Sequence, residues 1–232
     1  MHQGKKSCRS GASWLCVFLA VSGCWGLWPP GPSATHAAGP DDTGGLPGLT
    51  ADFPWRDTLP QSPVPPSAWY GNPKLGSWGP RSAVYPPVAV PAGVDAVAWK
   101  RQRVAVVAER YQGLSYRHHH IPAYDPPEEG PGLDCSNFTS WVYNYGLGVR
   151  FTSAIASQAD GPKAPGRRLG PDEPLAVGDL LFITTRDRSR VSHVVVWLGN
   201  GRIIDSHTEG VRIRTLTGWY KDCFSHARRV IE

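Results

Sequence analysis

The sequence predicts an α+β fold, in which two helices precede an antiparallel β-sheet. Apolar residues recur every three or four positions over residues 94–111 and again after residue 135. The last third of the chain instead has short apolar runs bounded by glycine and polar turns. An α+β domain has this order, in which helices are followed by a run of strands. Hydrophobic residues make up 41% of the 232-residue chain, which is enough for a core.

The first helix is predicted over residues 94–111. Val97, Val104 and Ala108 lie three to four positions apart, or multiples of that, and would share one face. Gly113 is a plausible stop, because glycine is common just beyond the last helical turn.

The second helix is predicted to begin at Cys135. Asp134 is a good N-cap, since its carboxylate can accept a hydrogen bond from an amide of the first turn. Phe138 and Val142 belong to an apolar stripe, and Gly146 is expected to end the helix.

The remaining elements are short. Strands are predicted over residues 179–185, 191–198, 202–207, 211–214 and 227–231, with a short helix over residues 219–225.

The turn between the second and third of these strands decides which side chains share a face. If only residues 200–201 formed the turn, Asp205 and His207 would face away from His193. A turn over residues 199–201 with a left-handed Gly at a bulge reverses this, and puts His207 opposite His193 with Asp205 on the same face. We predict the three-residue turn.

The N-terminal 38 residues are predicted to direct export. A basic start precedes an apolar run from residue 14 that is too short to be a good transmembrane span. Residues 21–24 resemble a bacterial lipobox, in which Cys24 is acylated, whereas residues 35–38 suit an ordinary signal peptidase. Both alternatives stay open, as a signal peptide or a lipoprotein signal, and both place the protein in the periplasm or cell envelope, with a lipid anchor in the first case.

Residues 39–93 are predicted to be a proline-rich linker or a wrapping arm. Of the 23 prolines, 15 fall in residues 29–91, which excludes regular helices and central strands there. The aromatic residues are expected to pack on the following domain rather than to bind carbohydrate or peptide; they are Trp55, Trp69, Tyr70, Trp78 and Tyr85.

The charge of the chain gives no sign of a nucleic-acid partner. The formal net charge is +5, and removal of a signal carrying Lys5, Lys6 and Arg9 and no acidic residue leaves +2. No basic stripe is present, so we predict no nucleic-acid binding.

Cys135 and His193 are the candidate catalytic pair. A thiolate attacks carbonyl carbon, and an imidazole can take the thiol proton and return it to a leaving amine. A helix N-terminus and a neighbouring imidazolium are expected to lower the thiol pKa. Asp205, as a charged acceptor, or His207, as a neutral one, would orient the imidazole. Cys135 is expected to be a free, functional thiol and Cys223 to be packed.

These residues resemble the NlpC-type cell-wall peptidases, a papain-like cysteine peptidase family of bacterial envelopes. The resemblance covers residues 94–232 and implies a papain-like fold, with the nucleophile at a helix N-terminus packed on the sheet. The matching motifs are Tyr116, Asp134-Cys135-Ser136, Gly178-Asp179-Leu180-Leu181-Phe182, His193 and Gly199-Asn200-Gly201 with Ile203-Ile204-Asp205.

The resemblance implies that Cys135 is the nucleophile, His193 the general base and the residue at position 205 the third polar group. Tyr116 and Ser136 would lie near the oxyanion or the substrate. The family cleaves the stem peptides of peptidoglycan, so the expected protein is a cysteine-type endopeptidase that requires no cofactor. We expect a monomer, and the alternative is an inactive relative that only binds cell-wall peptides.

Three features depart from the family pattern. Members often have His where this chain has Asp205, and Gly where it has Asn137. Residues 117–120, Arg-His-His-His, replace a frequent Gly pair. A metal site would need a carboxylate such as Asp125 beside these histidines, so we predict instead a loop at the cleft and no metal.

Overall fold

The computed structural model describes residues 45–69, 79–123 and 130–232. The predicted signal over residues 1–38, with Cys24, lies outside these ranges, as do Tyr70, Trp78 and Asp125. Within the described ranges, no helix combines the length and the apolar character needed to span a bilayer.

Both predicted helices are present. The helix expected over residues 94–111 is α2, Ala96–Arg110, and the one expected from Cys135 is α3, Cys135–Leu147, which ends one residue beyond the predicted stop. The remaining helices are short: α1 (Phe53–Arg56), α4 (Ile155–Asp160) and α5 (Trp219–Asp222), with a 3-10 turn at Pro66–Ala68. Helices α1 and α4 were not predicted from the sequence, because each is too short to show a helical period.

Six strands form one antiparallel sheet in the described part of the chain, in the order β1-β6-β2-β3-β4-β5. The predicted α+β arrangement is therefore confirmed. The strands are β1 (Arg167–Arg168), β2 (Leu180–Thr184), β3 (Val191–Gly199), β4 (Arg202–His207), β5 (Gly210–Thr215) and β6 (Phe224–Arg229).

The β3–β4 turn has the predicted parity. Val196 pairs with Ile204 and Trp197 with Ile203, and a bulge follows before Gly199. Residues 199–201 all have positive φ, at 86°, 51° and 73°. Extending this register puts residue 195 opposite 205 and residue 193 opposite 207, as the three-residue turn requires.

The sheet buries side chains on both faces. One face packs on α2 and α3 through a cluster that includes Phe182, Val194, Val196, Phe138 and Val142. The opposite face carries a second cluster, which includes Leu181, Ile183, Val195, Ile203 and Cys223, with Trp219 and Tyr220 of α5 packed against it. His193 and Asp205 have the parity of this second face.

The N-terminal arm, meaning the described residues 45–69 and 79–93, is held against α2 and α3 by two buried arginines. Arg103 of α2 forms an ion pair with Asp52. Arg56 of α1 donates to the carbonyl oxygens of Tyr145 at 2.9 Å and Pro86 at 3.0 Å. Because a buried guanidinium is costly unless it is paired and hydrogen-bonded, these contacts fix the arm to the helices.

Side chains of the arm add to this packing. Trp69 and Tyr85 are buried, whereas Trp55 is 51% exposed. The amide of Asn144 in α3 accepts from the Tyr85 N–H at 3.1 Å and donates to the Ala83 carbonyl at 2.7 Å. The functional division of the chain at residue 94 stays a prediction, since these contacts concern packing alone.

Candidate active site

The N-terminus of α3 positions Cys135. Asp134 is the N-cap and accepts hydrogen bonds at 2.8 Å from both the backbone N–H and the side-chain amide of Asn137. Cys135 occupies the first helical position, with 7% of its surface exposed. Its side chain thus lies at the positive end of the helix dipole.

The first turn of α3 meets the sheet where β3 and β4 separate. The β3–β4 ladder ends at the pair of residues 196 and 204, before it reaches His193. Beyond that point the Ser206 hydroxyl donates to the Leu133 carbonyl at 2.6 Å. The backbone N–H of Val194 lies close enough to the Cys135 sulfur to favour its ionised form. The thiol therefore lies near the backbone of the residue that follows His193.

Asp205 holds the imidazole of His193. Its carboxylate accepts from His193 Nε2 at 2.6 Å, from the Tyr220 hydroxyl at 2.7 Å and from Arg214 Nε at 2.9 Å. Burial raises the pKa of Asp205, but these three donors outweigh it and the pKa is lowered. An ionised carboxylate only accepts, so Nε2 carries the ring proton and Nδ1 is the basic nitrogen of His193.

His207 contacts His193 differently from Asp205. The two rings meet edge to face, with centroids 5.1 Å apart, and the Nδ1 of His207 pairs with the Thr208 hydroxyl at 3.0 Å. Burial, together with the charge of His193, lowers the pKa of His207. Of the two residues considered for the third position, Asp205 is thus the one that hydrogen-bonds to His193.

Aromatic rings close around the His193 imidazole. The ring centroids of Trp219 and Tyr220 lie 5.5 and 5.8 Å from that of His193. His193 is 3% exposed and Asp205 is fully buried. The pair lies in a water-poor environment, where their interaction is stronger than at the surface.

The expectation of a low thiol pKa is wrong for this site. Burial raises the pKa of Cys135 to about 12, and the nearby charge of Asp134 adds to the increase. The N–H groups of Val194 and Ser136 favour the thiolate but do not compensate for its lost hydration. At rest the sulfur is therefore a neutral thiol.

Tyr116 and Ser136 both lie beside the nucleophile candidate. Burial raises the pKa of Tyr116 to about 12, and the proximity of Cys135 and Asp134 contributes. Its hydroxyl is protonated at neutral pH and can donate a hydrogen bond. The Ser136 hydroxyl donates to Asp134 at 3.1 Å, so this side chain supports the N-cap.

The histidine triplet packs beside the first turn of α3. His118 Nδ1 lies 3.3 Å from Asp134, and His120 Nδ1 lies 2.8 Å from the Asn137 amide oxygen and 3.0 Å from the Ser153 hydroxyl. Across the described ranges, His, Cys, Asp and Glu side chains form no group of three that could hold a metal ion.

Three residues around the site were not identified from the sequence. Arg214 lies opposite Ile203 in the β4–β5 ladder, so strand parity could have placed it on the face of Asp205. Trp219 and Tyr220 come from α5, whose docking on the sheet has no signal in the local pattern. Cys223 is buried, as expected, and so is Cys135.

The chain is similar to known proteins in sequence and in structure. It is 34% identical over 91 residues to the probable endopeptidase p60 of Listeria grayi, which is 38% of this chain and 16% of that protein. The chain thus spans about a sixth of the length of this curated relative.

Solved structures resemble the chain more distantly. An NlpC/P60 family protein from Bacillus cereus is 24% identical, with a TM-score of 0.48, and the match covers 63% of this chain and 42% of that one. The peptidoglycan hydrolase RipB from Mycobacterium tuberculosis is 21% identical, with a TM-score of 0.46, and the match covers 62% and 74%.

The model of the NlpC/P60 family matches residues 110–229, just over half of the 232 residues. This range holds every residue of the candidate site, from Tyr116 to Tyr220. The chain belongs to the NlpC/P60 family.

Proposed function

We propose that this protein is an exported cysteine peptidase that hydrolyses amide bonds in the stem peptides of peptidoglycan. The observation that carries the proposal is the proximity of the Cys135 sulfur to the backbone next to His193, whose imidazole is held by the ionised Asp205. Membership of the NlpC/P60 family and similarity to a relative named as a probable endopeptidase support this substrate class.

Acylation begins with a neutral pair. His193 Nδ1 takes the thiol proton of Cys135 while the sulfur attacks the scissile carbonyl carbon. The backbone N–H of Cys135 and the hydroxyl of Tyr116 stabilise the oxyanion of the tetrahedral intermediate. The intermediate collapses when the carbon–nitrogen bond breaks and the imidazolium of His193 gives its proton to the leaving amine.

Deacylation reverses these roles. A water molecule loses a proton to His193 and attacks the thioester carbonyl, and the carbon–sulfur bond then breaks. The peptide acid leaves, and the proton returns to the sulfur of Cys135. Asp205 stabilises the imidazolium that forms in both half-reactions, and no cofactor is required.

The test is cleavage of purified muropeptides, followed by mass spectrometry of the products. Cys135→Ala is expected to abolish cleavage, whereas Cys223→Ala, which removes the other buried thiol, should retain it. Melting temperatures of both variants show that they fold. Undiminished cleavage by Cys135→Ala would show that Cys135 is not the nucleophile.

A second candidate function is a non-catalytic module that binds cell-wall peptides. The neutral, buried thiol with a pKa of about 12 favours it, because a thiol is a poor nucleophile. The two candidates differ in product formation: binding of muropeptides without any cleavage by the intact protein would select the binding module.

Export and anchoring complete the proposal. We propose that residues 1–38 direct export and that Cys24 carries the lipid anchor. Metabolic labelling with a fatty-acid analogue is expected to mark the protein, and Cys24→Ala should lose the label. A labelled Cys24→Ala variant would contradict lipidation at this position, and an unlabelled but exported parent protein would favour ordinary signal cleavage.

A further inference from the structure

A cavity of about 980 Å³ adjoins the first turn of α3, and His193 is not among its described lining residues. Ser136 and Asn137, which follow Cys135 directly, form part of its wall. The volume is in the range of pockets that hold small ligands. None of the steps proposed for hydrolysis uses this cavity.

Three basic residues from separate segments line the cavity. Arg81 comes from the N-terminal arm, Arg150 follows α3 and Lys163 follows α4. All three are exposed, and among the described residues none of them forms an ion pair. No Asp or Glu is among the described lining residues. Three cations around one concavity produce a positive potential that an anion would relieve.

The rest of the lining is uncharged. Hydroxyl groups of Ser140, Thr152 and Ser153 alternate with apolar surface from Phe151 and Ile155. Burial lowers the pKa of His120, which also lines the cavity, and so disfavours a positive charge on its ring. The charge of the site therefore comes from the arm and from the segments after α3 and α4.

We propose that this cavity is a subsite for a peptide carboxylate of the substrate, built in part by the N-terminal arm. This proposal rests on the proposed function, because a stem peptide held over Cys135 would pass Ser136 and Asn137 into the cavity. A half-open, partly apolar cavity suits a peptide residue with an acid group, whereas a phosphodiester polymer would need a longer basic strip.

The test measures binding by calorimetry to the otherwise intact protein carrying Cys135→Ala, with Cys135→Ser as a second background. Two probes are used: a stem peptide with a free glutamate carboxylate, and the same peptide with a carboxamide there. We expect the affinity for the free-acid peptide to fall about twofold to fivefold in each of three variants, Arg81→Gln, Arg150→Gln and Lys163→Gln. The effect is small because each cation is exposed. Binding of the carboxamide should not change.

Arg202→Gln is the matched control. This exposed arginine starts β4, at the opposite end of β3 from His193, and its substitution should leave both peptides unaffected. Equal weakening of acid and amide peptides by the three variants, or no weakening, would overturn the proposal. Loss of poly(glycerol phosphate) binding without loss of peptide binding would instead identify a polyanion site and also overturn it.

Cleavage by the protein with Cys135 intact separates this inference from the proposed function. If muropeptides are cleaved but the three variants do not distinguish acid from amide, only the carboxylate subsite fails. If the subsite selects the free acid and nothing is cleaved, hydrolysis fails and the subsite stands. If the peptides are neither bound nor cleaved, both proposals fail.

Discussion

Asp205→Asn is the substitution that most sharply tests how the imidazole is held. The carboxylate is fully buried and accepts three hydrogen bonds, two at one oxygen from His193 and Tyr220 and one at the other from Arg214. An amide of the same size has a single acceptor oxygen. Whichever way it turns, its NH₂ group faces a donor.

The size of the effect follows from these contacts. If the amide oxygen stays with His193, a charge-assisted bond to Arg214 is lost, which costs about 1.5–3 kcal/mol in the free energy of unfolding. If the NH₂ group faces His193 instead, the ring proton moves to Nδ1 and the base is lost. In both orientations the imidazolium loses its counter-charge, so we expect kcat/KM to fall about 10²- to 10³-fold, or about 2.7–4 kcal/mol.

The assay compares Asp205→Asn with His207→Gln in muropeptide cleavage, with the melting temperature of each variant. His207 contacts His193 only edge to face, so its substitution should lower kcat/KM less than about tenfold. A nearly unchanged Asp205→Asn beside a His207→Gln variant reduced 100-fold would refute the reasoning, and would give the orienting role to His207.

Three further predictions follow from the same contacts. Because the pKa of the Cys135 thiol is raised to about 12, its thiolate fraction, and with it the rate of alkylation by iodoacetamide, should rise about tenfold per pH unit between pH 7 and 10; a rate independent of pH from pH 6 would reveal a resting thiolate instead. Tyr220→Phe removes the 2.7 Å hydrogen bond to Asp205 and should lower kcat about threefold to tenfold with little change in KM; a change in KM alone would contradict this role. Gly148 has φ of 73°, and a Cβ there would lie 2.7 Å from the backbone of the arm, so Gly148→Ala should cost about 2–4 kcal/mol in thermal unfolding. Gly113→Ala, at φ of 87° in open space, is the control for backbone strain and should cost about 1–2 kcal/mol. Equal losses of stability in the two variants would mean that the Cβ clash at residue 148 contributes nothing.

The main elements of the fold could be predicted because local signals and tertiary packing agree in them. The N-cap Asp134 and the apolar stripe that follows define α3, and the glycines of the β3–β4 turn fix the side of the sheet on which Asp205 lies. The contacts that hold the N-terminal arm on α2 and α3 could not be predicted from the sequence. Its attachment depends on the buried charges of Arg56 and Arg103, which have no periodic pattern.

The constellation of the site was accessible from the sequence, but its electrostatics was not. Cys135 and His193 were selected by residue type and spacing. Strand parity left Asp205 and His207 both open, and the family resemblance favoured Asp205. The pKa of the thiol depends on how completely tertiary packing removes water, and the helix N-terminus alone suggested the opposite direction. The donors from Arg214 and Tyr220 likewise depend on how β5 and α5 dock beside β4.

The most direct test of a cysteine nucleophile in this protein is the mass of the acylated enzyme in the first turnover. Excess protein is mixed with a stem peptide, quenched in acid within milliseconds to seconds, and digested for mass spectrometry. We predict that the acyl half of the substrate is found on Cys135, and that it is absent from Cys223 and from the Cys135→Ala protein. Product release with no adduct on Cys135, at an equal rate in Cys135→Ala, would contradict the mechanism.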